Sequence, residues 1–355
     1  MRKILPWLAR WEVGLLAVLV LEIVIFGMVN PVFFDLPKLL LTMPDFIYLG
    51  IVALPLGMIM MTGGIDLSFG SVASLAAITT GVVFATSKSM VLGILVGLLV
   101  GVVCGLVNGV LIVTTKAQPM VLTLGTLFLF AGLALGVSGI GGVSAYEGIG
   151  NFPDWFNQIA YGTSLGLPNL LIAFVLASIV FYLLMSKTSF GRQMRLIGAN
   201  AQTARYAGFS VSRLLITGYA VMGAMAALVG VLLSSYFGSA RPDIGATLLL
   251  PVLTLVVIGG VSMFGGEGNM IGIVIATLVI GVLQQGIRYA GMNENEVSVV
   301  TGSVLVGVSI LRWWSGRWSE LLRNRRNRRR EERAASALAG EPQAVGVGQA
   351  EPTAR

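Results

Sequence analysis

The sequence predicts an all-α integral membrane protein with about ten transmembrane helices and both termini in the cytoplasm. Three observations lead to this prediction: an apolar composition, repeated apolar runs of membrane-spanning length, and an uneven distribution of Lys and Arg among the connections. Together they define the fold class without reference to any motif.

The composition excludes a water-soluble protein. Hydrophobic residues make up 56% of the 355 residues, charged residues only 11%, and the mean hydropathy is +0.89. A soluble core cannot absorb this much apolar surface. The strict apolar and polar alternation of a transmembrane β-barrel does not occur in the sequence, so the spans are predicted to be helices.

Histidine does not occur in the sequence, and cysteine occurs once, as Cys104 within an apolar run. Zinc, haem and disulfide chemistry depend largely on these two residue types. The sequence therefore predicts neither a metal site nor a cofactor.

Ten apolar runs bounded by charge, proline or glycine are the candidate spans, because about 20 apolar residues cross the hydrocarbon layer as a helix. The first run follows three basic residues as in a signal peptide, but no small-residue cleavage site follows it before Asn30, so it is interpreted as a retained span. The ten runs cover 13–29, 45–62, 68–86, 90–114, 119–138, 167–185, 213–234, 247–262, 270–288 and 297–313.

The basic residues predict the orientation, because cytoplasmic connections are enriched in Lys and Arg. With ten spans and a cytoplasmic amino terminus, nineteen of the 23 Lys and Arg residues fall inside. Only Lys38, Lys88, Arg241 and Arg288 fall outside.

The predicted domains are a cytoplasmic segment 1–12, a transmembrane domain 13–313 with a cytoplasmic loop at 186–213, and a basic, partly disordered cytoplasmic tail 314–355. The Trp and Arg residues that begin the tail suit lipid headgroups and an anionic leaflet. Membrane lipid is therefore the predicted partner of the Arg run, and nucleic acid is not.

Glycine recurs at every fourth position of the fourth span: Gly93, Gly97, Gly101, Gly105 and Gly109. This spacing predicts one helix face on which a neighbouring backbone can approach closely, and a central place for this span. A glycine-lined pore wall is the alternative interpretation of the same pattern.

Two glycine-rich breaks interrupt the apolar runs, one at 63–70 and one at 259–269. Their matching places suggest an internal duplication of discontinuous helices. In the first break, Asp66 can cap the third span or line a substrate path, and the sequence leaves both roles open.

No phosphate-binding glycine-lysine pattern and no catalytic constellation occurs, so the chain is predicted to be a transport component that does not hydrolyse ATP itself. An ion-coupled secondary transporter is the alternative. It would rely on intramembrane carboxylates, for which Glu22 and Asp66 are the candidates.

The cytoplasmic loop contains a short predicted helix between Asn200, a good N-cap, and Gly208, a good C-terminal stop. So short a helix is unstable alone in water and is expected to dock on a partner surface. Arg205 is the predicted polar contact. A helix lying on lipid headgroups, with Arg205 only a topology charge, is the alternative.

These residues carry a family resemblance. The pattern Gly-Gly-Ile-Asp-Leu-Ser at 63–68, the cytoplasmic glycines and basic residues at 191–208, and the pair Gly259-Gly260 resemble sugar-type ABC importer permeases of the ribose class over about residues 10–313. Within that class, the stretches 146–153, 235–241 and 284–286 are most similar to the second permease subunits of autoinducer 2 importers.

The resemblance implies a bacterial inner-membrane importer subunit with four partners: a related second permease, two copies of an ATPase, and a periplasmic solute-binding protein. The 200–208 helix then matches the coupling helix in the ATPase groove, and the implied coupling residues are Arg192, Asn200, Ala204, Arg205 and Gly208.

The resemblance also implies a small hydroxyl-rich solute, autoinducer 2, with ribose, rhamnose or another sugar as alternatives. Such a ligand needs polar groups without a strong fixed field. The candidate translocation-path residues are Asp66, Asn108, Thr123, Gln284 and Gln285.

Overall fold

The computed structural model of the protein describes residues 11–140, 148–293, 295–304, 306, 307 and 310. Within these ranges the chain is helical apart from its loops and one two-stranded hairpin. The elements named below all belong to one compact unit that ends at position 305. The predicted tail 314–355, and the predicted segment 1–12 apart from its last two residues, lie outside the described residues.

A short 3₁₀ turn, Pro31–Phe34, separates the first two helices, and strand β1 (Thr163–Ser164) pairs antiparallel with β2 (Leu167–Pro168). Residues 295–304 are also helical. The helices, in chain order, are α1 (Trp11–Val29), α2 (Leu36–Thr42), α3 (Pro44–Met60), α4 (Phe69–Ser87), α5 (Met90–Thr115), α6 (Pro119–Ile140), α7 (Asp154–Tyr161), α8 (Asn169–Lys187), α9 (Ser189–Ala199), α10 (Ala201–Tyr206), α11 (Val211–Phe237), α12 (Leu249–Ile258) and α13 (Met270–Tyr289).

Seven helices of the described chain are long and apolar enough to cross a membrane: α1, α4, α5, α6, α8, α11 and α13. The bent pair α2 and α3, which meet at 64°, brings the number to eight if the pair is one span. The prediction of an all-helical membrane protein is therefore confirmed. The last predicted span, 297–313, runs beyond the described residues.

The eighth predicted span, 247–262, is much shorter in the structure. Helix α12 has ten residues and is about 15 Å long, which is half of the hydrocarbon thickness. Gly259 and Gly260 end it on one side. On the other side, the loop before it enters the bundle, where the amide of Gly245 donates to the hydroxyl of Ser74 in α4 at 2.9 Å.

Helix α3, and not α5, is the central helix of the bundle. Fifteen of the 17 residues of α3 are buried, and it packs against α8, α11, α12 and α13. Helix α5 is buried on one side only, with Leu95 and Leu99 exposed on the other. The prediction that α5 is central was wrong. A glycine face allows a close neighbour on one side of a helix, but it does not require that the other sides are covered as well.

The glycines of α5 face two neighbours in succession. A Cβ on Gly93 would lie 2.7 Å from the carbonyl oxygen of Thr80 in α4, whereas a Cβ on Gly101 would lie 2.5 Å from that of Gly223 in α11. Four residues advance an α-helix by about 400°, so each glycine is turned by about 40° from the one before. Over the length of α5 the glycine face therefore turns from α4 to α11.

Candidate coupling segment and buried polar cluster

Helices α9 and α10 form a short bent segment at the end of the bundle that carries the basic loop 186–213. This end is called the basic end below. Asn200 makes the bend between the two helices. Its amide donates to the carbonyl of Leu196, ending α9, and its side-chain oxygen accepts from the amides of Gln202 and Thr203 at 2.9 Å each. The predicted N-cap at Asn200 is confirmed.

Helix α10 ends through a glycine, as the sequence predicts. Gly208 has φ +81°, a backbone conformation that L-residues with side chains rarely adopt. The amide of Phe209 then returns to the carbonyl of Ala204 at 3.1 Å, which closes the turn. Both the cap and the stop of this short helix are thus formed by residues of this chain.

The inward face of α10 is anchored to the protein's own core. Ala204 is fully buried and clusters with Ile197 of α9 and Val211 of α11. Its side chain is therefore not accessible to a partner, and it fixes the position of α10 on the bundle.

The outward face of the segment offers charge and an aromatic ring. Arg192 and Arg205 are exposed, and Tyr206 is 85% exposed. Sequence reasoning identified the two arginines but missed Tyr206, although an aromatic residue in a polar, one-turn helix was a visible signal. A surface with cations and a ring suits a partner groove with carboxylates and apolar walls.

The segment is also fastened to α8. Arg195 of α9 donates from its guanidinium to the carbonyl of Met185 in the last turn of α8. Gly191 lies against the same backbone, where a Cβ would clash. A force on α9 is therefore applied to α8 as well.

The first break holds a buried polar cluster. Asp66 is 2% exposed, and its Oδ1 accepts from the amide of Ser68 at 2.8 Å and from the hydroxyl of Ser68 at 2.7 Å. Asn108 of α5 donates from Nδ2 to the same hydroxyl oxygen at 2.8 Å. Asp66 therefore orders the turn that leads into α4, and the cluster ties this turn to α5. The cluster lies about 10 Å inside the basic end, since Asn108 is seven residues from the end of α5.

Thr123 of α6 holds the same break from the other side. Its hydroxyl oxygen accepts from the amide of Leu67 at 3.1 Å and lies 3.0 Å from the carbonyl oxygen of Ile65. The structure thus brings together three of the predicted path residues, Asp66, Asn108 and Thr123, around residues 65–68.

Two buried polar atoms in this region lack a hydrogen-bond partner among the described residues, namely Oδ1 of Asn108 and the hydroxyl of Tyr219 in α11. The amide of Asn108 must point its nitrogen at Ser68, because the hydroxyl proton of Ser68 is donated to Asp66. Oδ1 of Asn108 consequently faces away and remains able to accept a hydrogen bond. Ser68 and Tyr219 are polar residues of this region that sequence reasoning missed.

The other two predicted path residues lie apart from this cluster. Gln284 is about 21 Å along α13 from its first residue, Met270. Gln284 donates to the hydroxyl of Thr301 at 3.3 Å, and Gln285 donates to the carboxylate of Asp45 at 2.8 Å. Asp45 also accepts from Tyr236 at 2.7 Å, so this second polar group joins α3, α11 and α13 at the opposite end of the bundle.

The described residues contain no group of three His, Cys, Asp or Glu side chains that could hold a metal ion. The two polar groups offer hydrogen-bonding chemistry: carboxylate and amide acceptors, amide donors and hydroxyls. Such groups can bind hydroxyl groups of a small solute.

Comparison with known proteins identifies the family of this chain. A family model described as the permease component of branched-chain amino acid transport systems matches residues 39–309. This chain belongs to that permease family. It is a multi-pass inner-membrane transport component, and the resemblance to importer permeases is confirmed.

The relatives cover nearly the whole chain. An autoinducer 2 import system permease protein of Salmonella paratyphi B is 44% identical over 324 residues, which are 88% of this chain and 98% of that protein. The protein of the same description from Escherichia coli K12 is 49% identical over 300 residues, 84% of this chain and 91% of its own length. No solved structure matches the chain.

Proposed function

We propose that this chain is the second permease subunit of an ATP-driven importer that brings autoinducer 2 from the periplasm into the cytoplasm. The observation that carries the proposal is the identity of 44–49% with autoinducer 2 import permeases over most of both chains. The two buried polar groups support a small hydroxyl-rich solute, because they offer donors and acceptors without any described cluster of charges.

The proposed topology has ten spans with both termini in the cytoplasm, a transmembrane domain 13–313, and cytoplasmic segments 1–12 and 314–355. The basic end is then the cytoplasmic end. Two of the four basic residues on the outer side are paired with carboxylates, Lys38 with Asp35 at 2.8 Å and Arg241 with Asp243 at 2.7 Å. These pairs support the orientation, because a paired cation adds no net positive charge to the outer side. The hydrogen bond to Asp243 raises the pKa of Arg241, and the ion pair adds no net charge to the outer side.

The proposed partners are a related second permease, two copies of an ATPase and a periplasmic binding protein. The outward face of α9 and α10, with Arg192, Arg205 and Tyr206, is proposed to dock in the ATPase groove. Asn200 and Gly208 keep α10 folded for docking, and Ala204 fixes it to the bundle.

The substrate is tested by uptake of labelled autoinducer 2 into vesicles that contain the complete transporter and its binding protein. We expect ATP-dependent uptake that excess unlabelled autoinducer 2 abolishes and that ribose and rhamnose leave unchanged. Competition by ribose or rhamnose would instead assign the chain to a sugar importer. Uptake that persists without ATP and collapses with an ionophore would assign it to ion-coupled transport.

Docking is tested with Arg205→Glu, because Arg205 is exposed and lies in the last turn of α10. We expect normal insertion, weaker copurification of the ATPase, and less hydrolysis stimulated by loaded binding protein. Lys187→Glu is the matched control, since Lys187 is an exposed basic residue of the same loop outside α9 and α10. Equal docking by the two variants would place the ATPase contact on another loop.

A further inference from the structure

Three segments that are far apart in the sequence meet through their backbones at the basic end. Gly198 is the next-to-last residue of α9. A Cβ on Gly198 would clash with the carbonyl oxygen of Met61, which follows α3 and leads into the first break, and would lie 2.5 Å from the amide nitrogen of Gly266, in the second break. Gly198 therefore touches both breaks at a point where even alanine does not fit.

The two breaks also contact each other directly. The amide of Gly266 donates to the carbonyl of Met61 at 2.9 Å. A Cβ on Gly265 would lie 2.7 Å from the amide nitrogen of Gly63 and 3.0 Å from the Cα of Gly198. Gly63, Gly198, Gly265 and Gly266 are called the glycine junction below.

Three of the four glycines are required by backbone conformation as well as by space. The φ angles are +83° at Gly63, +88° at Gly265 and +80° at Gly266, all in the region that favours glycine. Gly198 lies in a helix, where any residue has an allowed backbone, so close approach is the only reason for glycine there.

A contact of this kind transmits displacement well. Side chains at an interface can change rotamer and absorb a small movement, but backbone atoms in van der Waals contact cannot interpenetrate. No side chain separates Gly198 from Met61 and Gly266, so a shift of α9 must shift both breaks or open the junction.

Each break leads to a different part of the bundle. The first continues within five residues of Met61 to Asp66 and then to its hydrogen-bonded neighbours Ser68 and Asn108. The second continues to Asn269, which caps α13 and donates to Glu12 of α1 at 2.6 Å. One movement of α9 thus reaches the buried polar cluster and the α1–α13 pair together.

We infer that Gly198 is a positioning residue for transport, through which movement of the coupling segment is passed to both helix breaks at once. This inference rests on the proposed docking of α10 on the ATPase. It predicts that altering the junction changes the amount of ATP used per solute more than it changes ATP hydrolysis itself.

The test uses the complete transporter with its binding protein and measures uptake and stimulated hydrolysis in the same vesicles. Gly198→Ala overpacks the junction, so we expect uptake to fall about tenfold while hydrolysis falls less than about twofold. Ala199→Gly loosens it instead, because it replaces the last residue of α9, which lies beside Gly266, by the more flexible glycine. For this variant we expect ATP use per solute to rise about twofold to threefold.

Gly268→Ala is the matched control in the same break. The three atoms nearest to a Cβ on Gly268 would all belong to side chains, namely the flexible end of Met61 at 2.5 Å, the Cγ of Met61 at 3.0 Å and Val261 at 3.2 Å, whereas the nearest atoms at Gly198 belong to the backbone. We expect its ATP use per solute to equal that of the wild type.

The possible results separate the junction from the docking proposal. An ATPase that does not copurify with the wild-type chain would contradict docking. Normal wild-type coupling together with unchanged ATP use per solute in both junction variants would overturn the inference, as would a proportional loss of uptake and hydrolysis. If Gly198→Ala does not assemble, the inference is tested with Ala199→Gly, which removes only one methyl group. An unchanged amount of ATP used per solute in that variant would overturn the inference.

Discussion

Helices α5 and α6 follow each other in the chain and are both rich in glycine, yet the structure uses their glycines in opposite ways. All five glycines of α5 are buried against α4 and α11. The glycines of α6 at positions 125, 132, 136 and 139 are exposed, and a Cβ at any of them would meet no described residue within 4 Å.

The glycines of α6 nevertheless form a regular face. Their spacings of seven, four and three residues keep them within about 60° of one another around the helix. The opposite face carries the buried residues of α6, which are Thr123, Thr126, Phe130, Ala134 and Ser138. Glycine spacing therefore identifies a flat helix face, but it does not identify what lies against that face.

The largest effect is expected from Gly101→Leu, because a Cβ there would already be 2.5 Å from the carbonyl oxygen of Gly223 and Leu adds three more carbons. We expect at least about 3 kcal/mol of destabilisation and little folded protein in the membrane. Membrane abundance and thermal unfolding in detergent measure this. Normal abundance would show that α5 and α11 separate without cost.

A smaller effect is expected from Gly97→Ala, which would clash with the hydroxyl of Thr80 and lie 2.9 Å from the carbonyl of Ala76. We expect destabilisation by about 2 kcal/mol. Because Thr80→Ala removes the hydroxyl, the double variant should recover about 1 kcal/mol relative to the sum of the single variants. Strict additivity in thermal unfolding would mean that the two residues do not touch.

Thr123→Val tests the attachment of α6 to the first break, because the glycines of α6 contact no described residue of a neighbouring helix. It removes the hydroxyl that bonds the backbone of residues 65–67, so we expect a loss of about 1 to 2 kcal/mol and a lower melting temperature. Thr126→Val is the control, since the hydroxyl of Thr126 bonds only within its own helix. Equal melting temperatures for the two variants would contradict the bridging role of Thr123.

Local features of the fold could be predicted from the sequence, because they depend on neighbouring residues. Hydropathy and flanking glycines located most helices, and Asn200 and Gly208 marked the ends of α10. The short α12 was missed because the entry of the Gly245 loop depends on a contact with α4 that lies far away in the sequence.

The candidate sites depend on long-range contacts and were predictable only in part. Asp66, Asn108 and Thr123 were identified as polar residues in apolar surroundings, but their convergence on residues 65–68 has no sequence signal. Gln284 and Gln285 were grouped with them by residue type, although they lie at the opposite end. The junction of Gly198 with both breaks joins positions more than 60 residues apart, so only the fold reveals it.

The smallest effect on stability is expected from Gly132→Leu, in the middle of the exposed glycine face of α6. A Cβ at position 132 meets no described residue within 4 Å, so the added side chain enters space outside the bundle, and leucine is a better helix former than glycine. The melting temperature of the isolated subunit in detergent should therefore equal or slightly exceed that of the wild type, with a free energy change within about 0.5 kcal/mol. The contrast with Gly101→Leu is the sharpest test of the comparison, because the two substitutions are chemically identical and lie on successive helices. A large loss of stability would show that α6 packs against a part of the chain beyond the described residues. Unchanged stability with lost uptake would show instead that another chain of the transporter lies against this face.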